Sequence, residues 1–174
     1  MARLPYADLT SPETRPLVDK IIAERGSVLH LYQMLLHSPV IAEGWLALLT
    51  AIRHMAGLSG RLRELVIMRI AVVNGAPYEA AQHEPIALKE GLTQAQINAL
   101  EDWPASELFD ATERAVLALS DHMTRQVQVP DEHLQKVRAL LGEKETVELV
   151  ATIAAYNMVS RFLEALEIHA DDKR

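Results

Sequence analysis

The sequence predicts an all-helical protein, because helix-start and helix-stop signals recur along it and no long stretch alternates apolar and polar residues. Two segments carry apolar residues at steps of three and four, the spacing of one helix face. In the first, these residues are Leu62, Leu65, Val66, Ile70 and Val73; in the second, they run from Val147 to Leu166. The alternating stretch at residues 127–129 is too short to build a sheet.

Helix boundaries follow from Ser, Thr or Asp caps, proline in the first turn and glycine after the last turn. Two pairs of residues have the spacing of capping boxes: Thr93 with Gln96, and Asp110 with Glu113. The predicted helices cover residues 12–25, 29–36, 39–54, 59–74, 77–91, a short stretch after 93, a longer one after 110, then 130–142 and 144–168.

The 174 residues are enough for one domain, and no low-complexity linker divides them. We therefore predict a single helical domain over residues 1–174, with approximate halves at 1–103 and 104–174. Residues 63–66 (Arg-Glu-Leu-Val) match residues 147–150 (Val-Glu-Leu-Val), and each stretch follows a glycine. Two interpretations stay open: a structural duplication, or two similar amphipathic helices.

The composition argues against several classes of function. Lys and Arg number 17 and Asp and Glu 24, so the formal net charge is −7. A nucleic-acid or anionic membrane surface would need a basic patch, and we expect neither partner. The chain has no cysteine, which removes disulfides, thiolate metal ligands and cysteine nucleophiles. No apolar stretch fits a signal peptide or a membrane span, so we expect a cytoplasmic protein.

One group of residues has the chemistry of a proton relay. Glu79 and His83 are four residues apart and share a helix face, and the short connection at residues 74–77 lets Glu64 on the preceding helix reach the same space. A carboxylate beside an imidazole orients the ring for proton transfer near neutral pH. On spacing alone, the same residues also fit an ordinary helix-surface pair.

The stretch from Arg61 to His83, RLRELVIMRIAVVNGAPYEAAQH, resembles the carboxymuconolactone decarboxylase family, which includes alkyl-hydroperoxidase D. The resemblance continues at Pro85-Ile-Ala-Leu and Glu90-Gly-Leu-Thr. It implies a helical bundle of the alkyl-hydroperoxidase D type with an internal helical repeat. It also implies a homo-oligomer, a trimer or a hexamer.

The chain departs from the peroxidase branch of that family at two positions. That branch has a Glu, eleven residues, Cys-x-x-Cys, three residues and a His; Glu64 and His83 match its ends, while the cysteine positions fall on Ala76 and Glu79. Thiol peroxidase chemistry needs both sulfurs, so it is excluded. The resemblance then implies a decarboxylase-like lyase that needs no metal or organic cofactor and acts on a small carboxylated or lactone substrate.

In that reading His83 delivers a proton to carbon, and Tyr78 donates to a developing oxyanion. Glu64 or Glu79 orients His83, and the alternative role for Glu79 is that of a second acid/base group. His30, Tyr32 and Arg69 are candidate substrate-binding residues. Alternatives stay open for them: exposed helix positions for the first two, and a structural ion pair for Arg69. Two other functions also stay open. One is a non-catalytic oligomeric protein that kept the fold but lost thiol peroxidase activity, and the other is a metal-dependent enzyme using His30, His37 and His83 with a Glu.

Overall fold

The computed structural model describes residues 1–172, and within them every regular element is helical, which confirms the all-α prediction. A π-helical turn (Ala51–Met55) continues α3, and a 3-10 segment (Leu100–Ala105) follows α6. None of the described helices is both long and apolar enough to cross a membrane. The α-helices are α1 (Arg15–Arg25), α2 (His30–Leu35), α3 (Pro39–Thr50), α4 (Gly60–Asn74), α5 (Pro77–Lys89), α6 (Gln94–Ala99), α7 (Ala111–Arg125) and α8 (Asp131–Ala165).

Most helix boundaries follow the local signals. Gly26 and Gly75 both take left-handed backbone conformations, with φ of 82° and 62°, directly after α1 and α4. Both predicted capping boxes form, at the start of α6 and of α7. The break predicted at Gly142 is also present, because this residue has φ of 77° and ψ of 175° inside α8.

Three boundaries were predicted wrongly. The first helix starts at Arg15 rather than at residue 12, which places Pro16 in the first turn, where its missing N–H removes no hydrogen bond. The helix that starts at Pro39 is α-helical only to Thr50 and then becomes the π-helical turn. The last helix ends at Ala165 rather than at residue 168.

The chain groups into two compact units, residues 1–55 with 163 onward, and residues 56–162. In the first unit, α1, α2 and α3 bury an apolar core that includes Ile21 and Leu46. The N-terminal segment is held by the Gln33 side chain, whose Nε2 donates to the carbonyl oxygen of Ala7 at 3.0 Å. The predicted single domain over residues 1–174, with approximate halves at 1–103 and 104–174, stays a prediction.

In the second unit, α4 is the central helix and packs against α5 and α7. Its nine consecutive residues from Arg63 to Ala71 are all buried. Fully burying an aliphatic side chain contributes about 1.5–3 kcal/mol, so this helix stabilises the unit strongly. Three charged residues, Arg63, Glu64 and Arg69, are buried along with the apolar ones, and each needs a partner there. Those partners define the candidate site and its support.

The two helices of the predicted repeat differ in what their glutamates do. Glu64 lies inside the second unit, whereas Glu148 accepts hydrogen bonds from the backbone amides of Gly57 and Leu58, each at 2.9 Å. Glu148 therefore caps a loop. The duplication itself stays a prediction.

Candidate active site

The predicted relay residues lie on the hairpin formed by α4 and α5. Gly75 and Ala76 connect the two helices, and their amides donate to the carbonyl oxygens of Val72 at 3.2 Å and Ala71 at 2.9 Å. The positive φ of Gly75 costs little because glycine has no Cβ. The turn is therefore closed by backbone hydrogen bonds, and it returns α5 along α4.

Glu64 and His83 meet inside this hairpin. The imidazole Nδ1 of His83 lies 2.7 Å from Oε2 of Glu64; Glu64 is fully buried and His83 is 8% exposed. An ionised carboxylate only accepts hydrogen bonds, so Nδ1 carries the hydrogen and the tautomer is set. Nothing within residues 1–172 hydrogen-bonds Nε2, which leaves this nitrogen for proton exchange.

Arg63 holds the second oxygen of the same carboxylate. Its Nε donates to Oε1 of Glu64 at 3.0 Å, and its guanidinium also lies 3.5 Å from Glu90. Burial raises the pKa of the Glu64 carboxyl, but the hydrogen bonds and charges of His83 and Arg63 outweigh burial and hold this pKa below its ordinary value. Glu64 is therefore ionised at neutral pH. It is also the glutamate that orients His83, a choice that the sequence left open.

Glu79 is 2% exposed and is contacted from α8. The hydroxyl of Ser160 donates to Oε2 of Glu79, and the same hydroxyl lies 3.0 Å from the carbonyl oxygen of Tyr156. The Tyr156 ring meets the His83 imidazole edge-on, with centroids 5.0 Å apart and planes at 89°. One face of α8 therefore contacts both Glu79 and His83.

Asn157 on α8 ties this helix to the α4–α5 turn. Its Oδ1 accepts from Nδ2 of Asn74, the last residue of α4, at 3.1 Å. Its own Nδ2 donates to Oγ1 of Thr124 and to the carbonyl oxygen of Ile153, each at 3.0 Å. With these partners Asn157 is buried, although Asn is unfavourable inside an exposed helix. The Asn157 side chain thereby links α8 to the turn between α4 and α5, the two helices that carry Glu64 and His83.

Tyr78 and Arg69 have different surroundings. Tyr78 lies buried in the first turn of α5, and its role as an oxyanion donor stays a prediction. Arg69 forms a two-point ion pair with Asp121, at 2.6 and 2.8 Å, and also donates to the carbonyl oxygen of Leu100 at 2.6 Å. The structure therefore shows the ion pair that the sequence offered as an alternative for Arg69.

His30 and Tyr32 belong to the first unit, and their substrate-binding role stays a prediction. The alternative that they are exposed is wrong, because His30 is 5% and Tyr32 2% exposed. The His30 ring stacks on Tyr6, with centroids 4.8 Å apart. His37 is exposed and donates to the carbonyl oxygen of Pro5 at 2.7 Å. In the part of the chain that is described, no three ligand-type side chains come together as a metal site would require.

Sequence reasoning did not select Arg63, Tyr156 and Ser160. Arg63 had a signal, since it is the cation next to Glu64 in the chain. Ser160 and Tyr156 are four residues apart and share a helix face, but nothing in the sequence links that face to α5. Ser160 is 81 positions from Glu79, and only tertiary packing brings them together.

Comparison with known proteins gives a family and a fold. A model of the Carboxymuconolactone decarboxylase family matches residues 39–122. The uncharacterized protein YdfG of Bacillus subtilis (strain 168) is 33% identical over 113 residues, which are 64% of this chain and 77% of that protein.

Two solved structures are similar in fold. A protein of unknown function from Agrobacterium tumefaciens is 24% identical, with a TM-score of 0.73, covering 79% of this chain and 94% of that one. The alkylhydroperoxidase AhpD core of a peroxidase-related protein from Ralstonia eutropha JMP134 is 16% identical, with a TM-score of 0.82, covering 98% and 93%. At these identities the likeness concerns the fold alone, and it confirms the predicted alkyl-hydroperoxidase D type.

Proposed function

Because the chain belongs to the carboxymuconolactone decarboxylase family, we propose that it is a cofactor-free lyase that uses the Glu64–His83 pair to protonate carbon after decarboxylation. The observation that supports this most strongly is the buried 2.7 Å contact between Glu64 and Nδ1 of His83, while Nε2 makes no hydrogen bond with residues 1–172. A relay with one nitrogen fixed and the other available suits proton transfer. The absence of cysteine excludes the thiol alternative.

The substrate class follows from the chemistry of the pair. A carboxylate placed beta or vinylogous to a carbonyl leaves as carbon dioxide, and its bonding electrons move to the carbonyl oxygen, which gives an enolate in the first case and a dienolate in the second. The carbon of that anion then takes the proton from Nε2 of His83, and the ring regains a proton from solvent. The carbonyl is the electron sink, so small β-keto acids and carboxylated lactones fit. Glu64 holds Nδ1, so Nε2 is the ring nitrogen that exchanges the proton.

The test is carbon dioxide release from a panel of β-keto acids and carboxylated lactones. We expect turnover by the wild-type chain and a loss of about 10²–10⁴-fold in His83→Ala, the range of general acid–base catalysis. His37→Ala is the matched control, because the His37 side chain is exposed and its one described hydrogen bond is to the carbonyl oxygen of Pro5. Wild-type turnover in His83→Ala would refute the assignment. No turnover of any panel member would favour the non-catalytic alternative.

The same family membership leads us to propose that the protein is a homo-oligomer, a trimer or a hexamer. Light scattering on the full chain tests this through the mass in solution. A monomer at micromolar concentration would contradict it.

A further inference from the structure

Helix α3 carries apolar side chains on two opposite faces. One face packs against α1 and α2. Its buried residues are Ala42, Leu46 and Leu49. The other face is open to water, although a helix that is apolar all round is normally buried. Its large side chains, with their exposed fractions, are Val40 at 81%, Ile41 at 51%, Leu48 at 44% and, in the π-helical turn that follows, Met55 at 78%.

The exposed face has a regular order. Ile41, Gly44, Leu48, Ala51 and Met55 follow one another at steps of three and four, the spacing with which one helix packs along another. These five residues are the α3 stripe. Large and small side chains alternate along it. In an antiparallel pair of such stripes, large residues of one copy lie opposite small residues of the other, so that the two surfaces interdigitate. In a parallel pair, large residues would meet large ones.

The charges at the two ends of α3 also favour an antiparallel partner. Near its start, a groove of about 330 Å³ between α1 and α3 has three charged residues in its lining, Glu13, Lys20 and Glu43, so acids outnumber bases there. At the other end, the π-helical turn carries the basic residues Arg53 and His54. An antiparallel copy brings its basic end to the acidic groove, whereas a parallel copy would bring like charges together.

The uncovered area fits the core of an interface. A fully exposed aliphatic side chain presents about 100 Å² of apolar surface, so the four large side chains together leave about 250 Å² open on each copy. A specific interface covers about 800 Å² per partner, as an apolar core inside a polar rim. Two copies of this face supply such a core to each other. An anionic lipid surface is a poorer match, because the net charge of the chain is −7.

We propose that the α3 stripe is an interface between two copies of this chain, which pack antiparallel across a twofold axis near Leu48. The same patch then serves on both copies, as in every twofold interface. The inference goes beyond the proposed lyase activity and does not depend on it. Of the two oligomers that family membership suggests, a hexamer of D3 symmetry contains twofold axes and a cyclic trimer contains none. The interface therefore favours the hexamer.

Light scattering on the full chain at micromolar concentration tests the interface. We expect Leu48→Glu to halve the mass in solution, from six chains to three or from two to one, because like charges then face each other near the axis. Val127→Glu is the matched control and should keep the wild-type mass, because Val127 is fully exposed and lies outside the stripe. Mixing Leu48→Glu with Leu48→Lys chains should restore the wild-type mass, because opposite charges then meet.

Three results of this experiment would overturn the proposal. They are a wild-type mass of one chain, a wild-type mass of three chains, and a Leu48→Glu mass equal to that of the wild type. The last result would leave the homo-oligomer itself in place and would show that another surface builds it. Binding of a single wild-type chain to phospholipid vesicles would identify a lipid surface as the cover of the stripe, and would overturn the proposal as well.

The absence of cysteine allows a second measurement. Leu48→Cys introduces the one thiol of the chain, and a short bifunctional maleimide should join two chains through it. Val127→Cys is the control and should stay largely uncoupled under the same conditions. If Leu48→Glu does not fold, as judged by circular dichroism, this cross-link decides. Equal coupling of the two cysteine variants would contradict the interface.

Discussion

Replacing Glu64 by Gln is the perturbation with the best-defined consequence for stability. The carboxylate is fully buried and accepts two hydrogen bonds, from His83 at 2.7 Å and from Arg63 at 3.0 Å. A hydrogen bond to a charged group contributes about 1.5–3 kcal/mol. The amide keeps one accepting oxygen and turns an NH₂ group toward the other donor. We therefore expect Glu64→Gln to lower the free energy of unfolding by about 3 kcal/mol, within the range for breaking a buried pair.

The pH dependence of the free energy of unfolding tests the role of the Glu64 charge more specifically. The pKa of Glu64 is lowered in the folded state from its ordinary value of 4.5, by His83 and Arg63 acting against burial. A lowered folded-state pKa means that the stabilisation is fully present above the unfolded value and is lost as pH falls through the folded value. The difference between wild type and Glu64→Gln should thus be largest at neutral pH and shrink on acidification.

The assay is urea unfolding at fixed protein concentration from pH 7 down to about pH 3, supported by thermal unfolding. For a chain of this size, a loss of about 3 kcal/mol corresponds to a Tm lower by about 6–12 °C at pH 7. Glu84→Gln is the control, because Glu84 accepts only an exposed hydrogen bond from Gln94 and should change stability by about 0.5 kcal/mol or less. A Glu64→Gln effect that is equally small, or that stays constant across the pH range, would refute the reasoning.

Two further predictions concern the support of the site. Gly75→Ala should lower the free energy of unfolding by about 1–2 kcal/mol, because φ is +62° at this residue, although an added Cβ meets no other atom. Gly44 lies in the regular part of α3, and a Cβ added there also has open space. Gly44→Ala should therefore raise the free energy of unfolding by about 0.5–1 kcal/mol. Equal effects of the two substitutions in chemical denaturation would contradict the strain argument. Arg69→Met should lower the free energy of unfolding by about 3 kcal/mol, because it leaves the Asp121 carboxylate without its cation. Adding Asp121→Asn to this variant should restore part of the lost free energy. If the effects of the two substitutions simply add, the coupling between these residues is contradicted.

Local signals were sufficient for much of the fold. Glycines at 26, 75 and 142, the two capping boxes and the apolar spacing in α4 depend on residues within one or two turns of each other, so the sequence alone specifies them. The first helix was predicted to start at residue 12 because Ser11 fits a cap and Pro12 fits a first turn, but Pro16 fits a first turn equally well. Only Pro16 takes that place in the structure. The π-helical turn at Ala51–Met55 had no local signal that we recognised.

The candidate site was also predicted in part from local spacing, while the rest of it depends on tertiary packing. The sequence by itself determined that no thiol chemistry is available, that Glu79 and His83 share a helix face, and that Glu64 is within reach across a short turn, since these depend on residue type and helical spacing. Only the tertiary structure decided that Glu64 rather than Glu79 contacts Nδ1, and that Ser160 reaches Glu79. The physical reason is distance along the chain: which face of α8 packs against α5 depends on the whole core of the second unit.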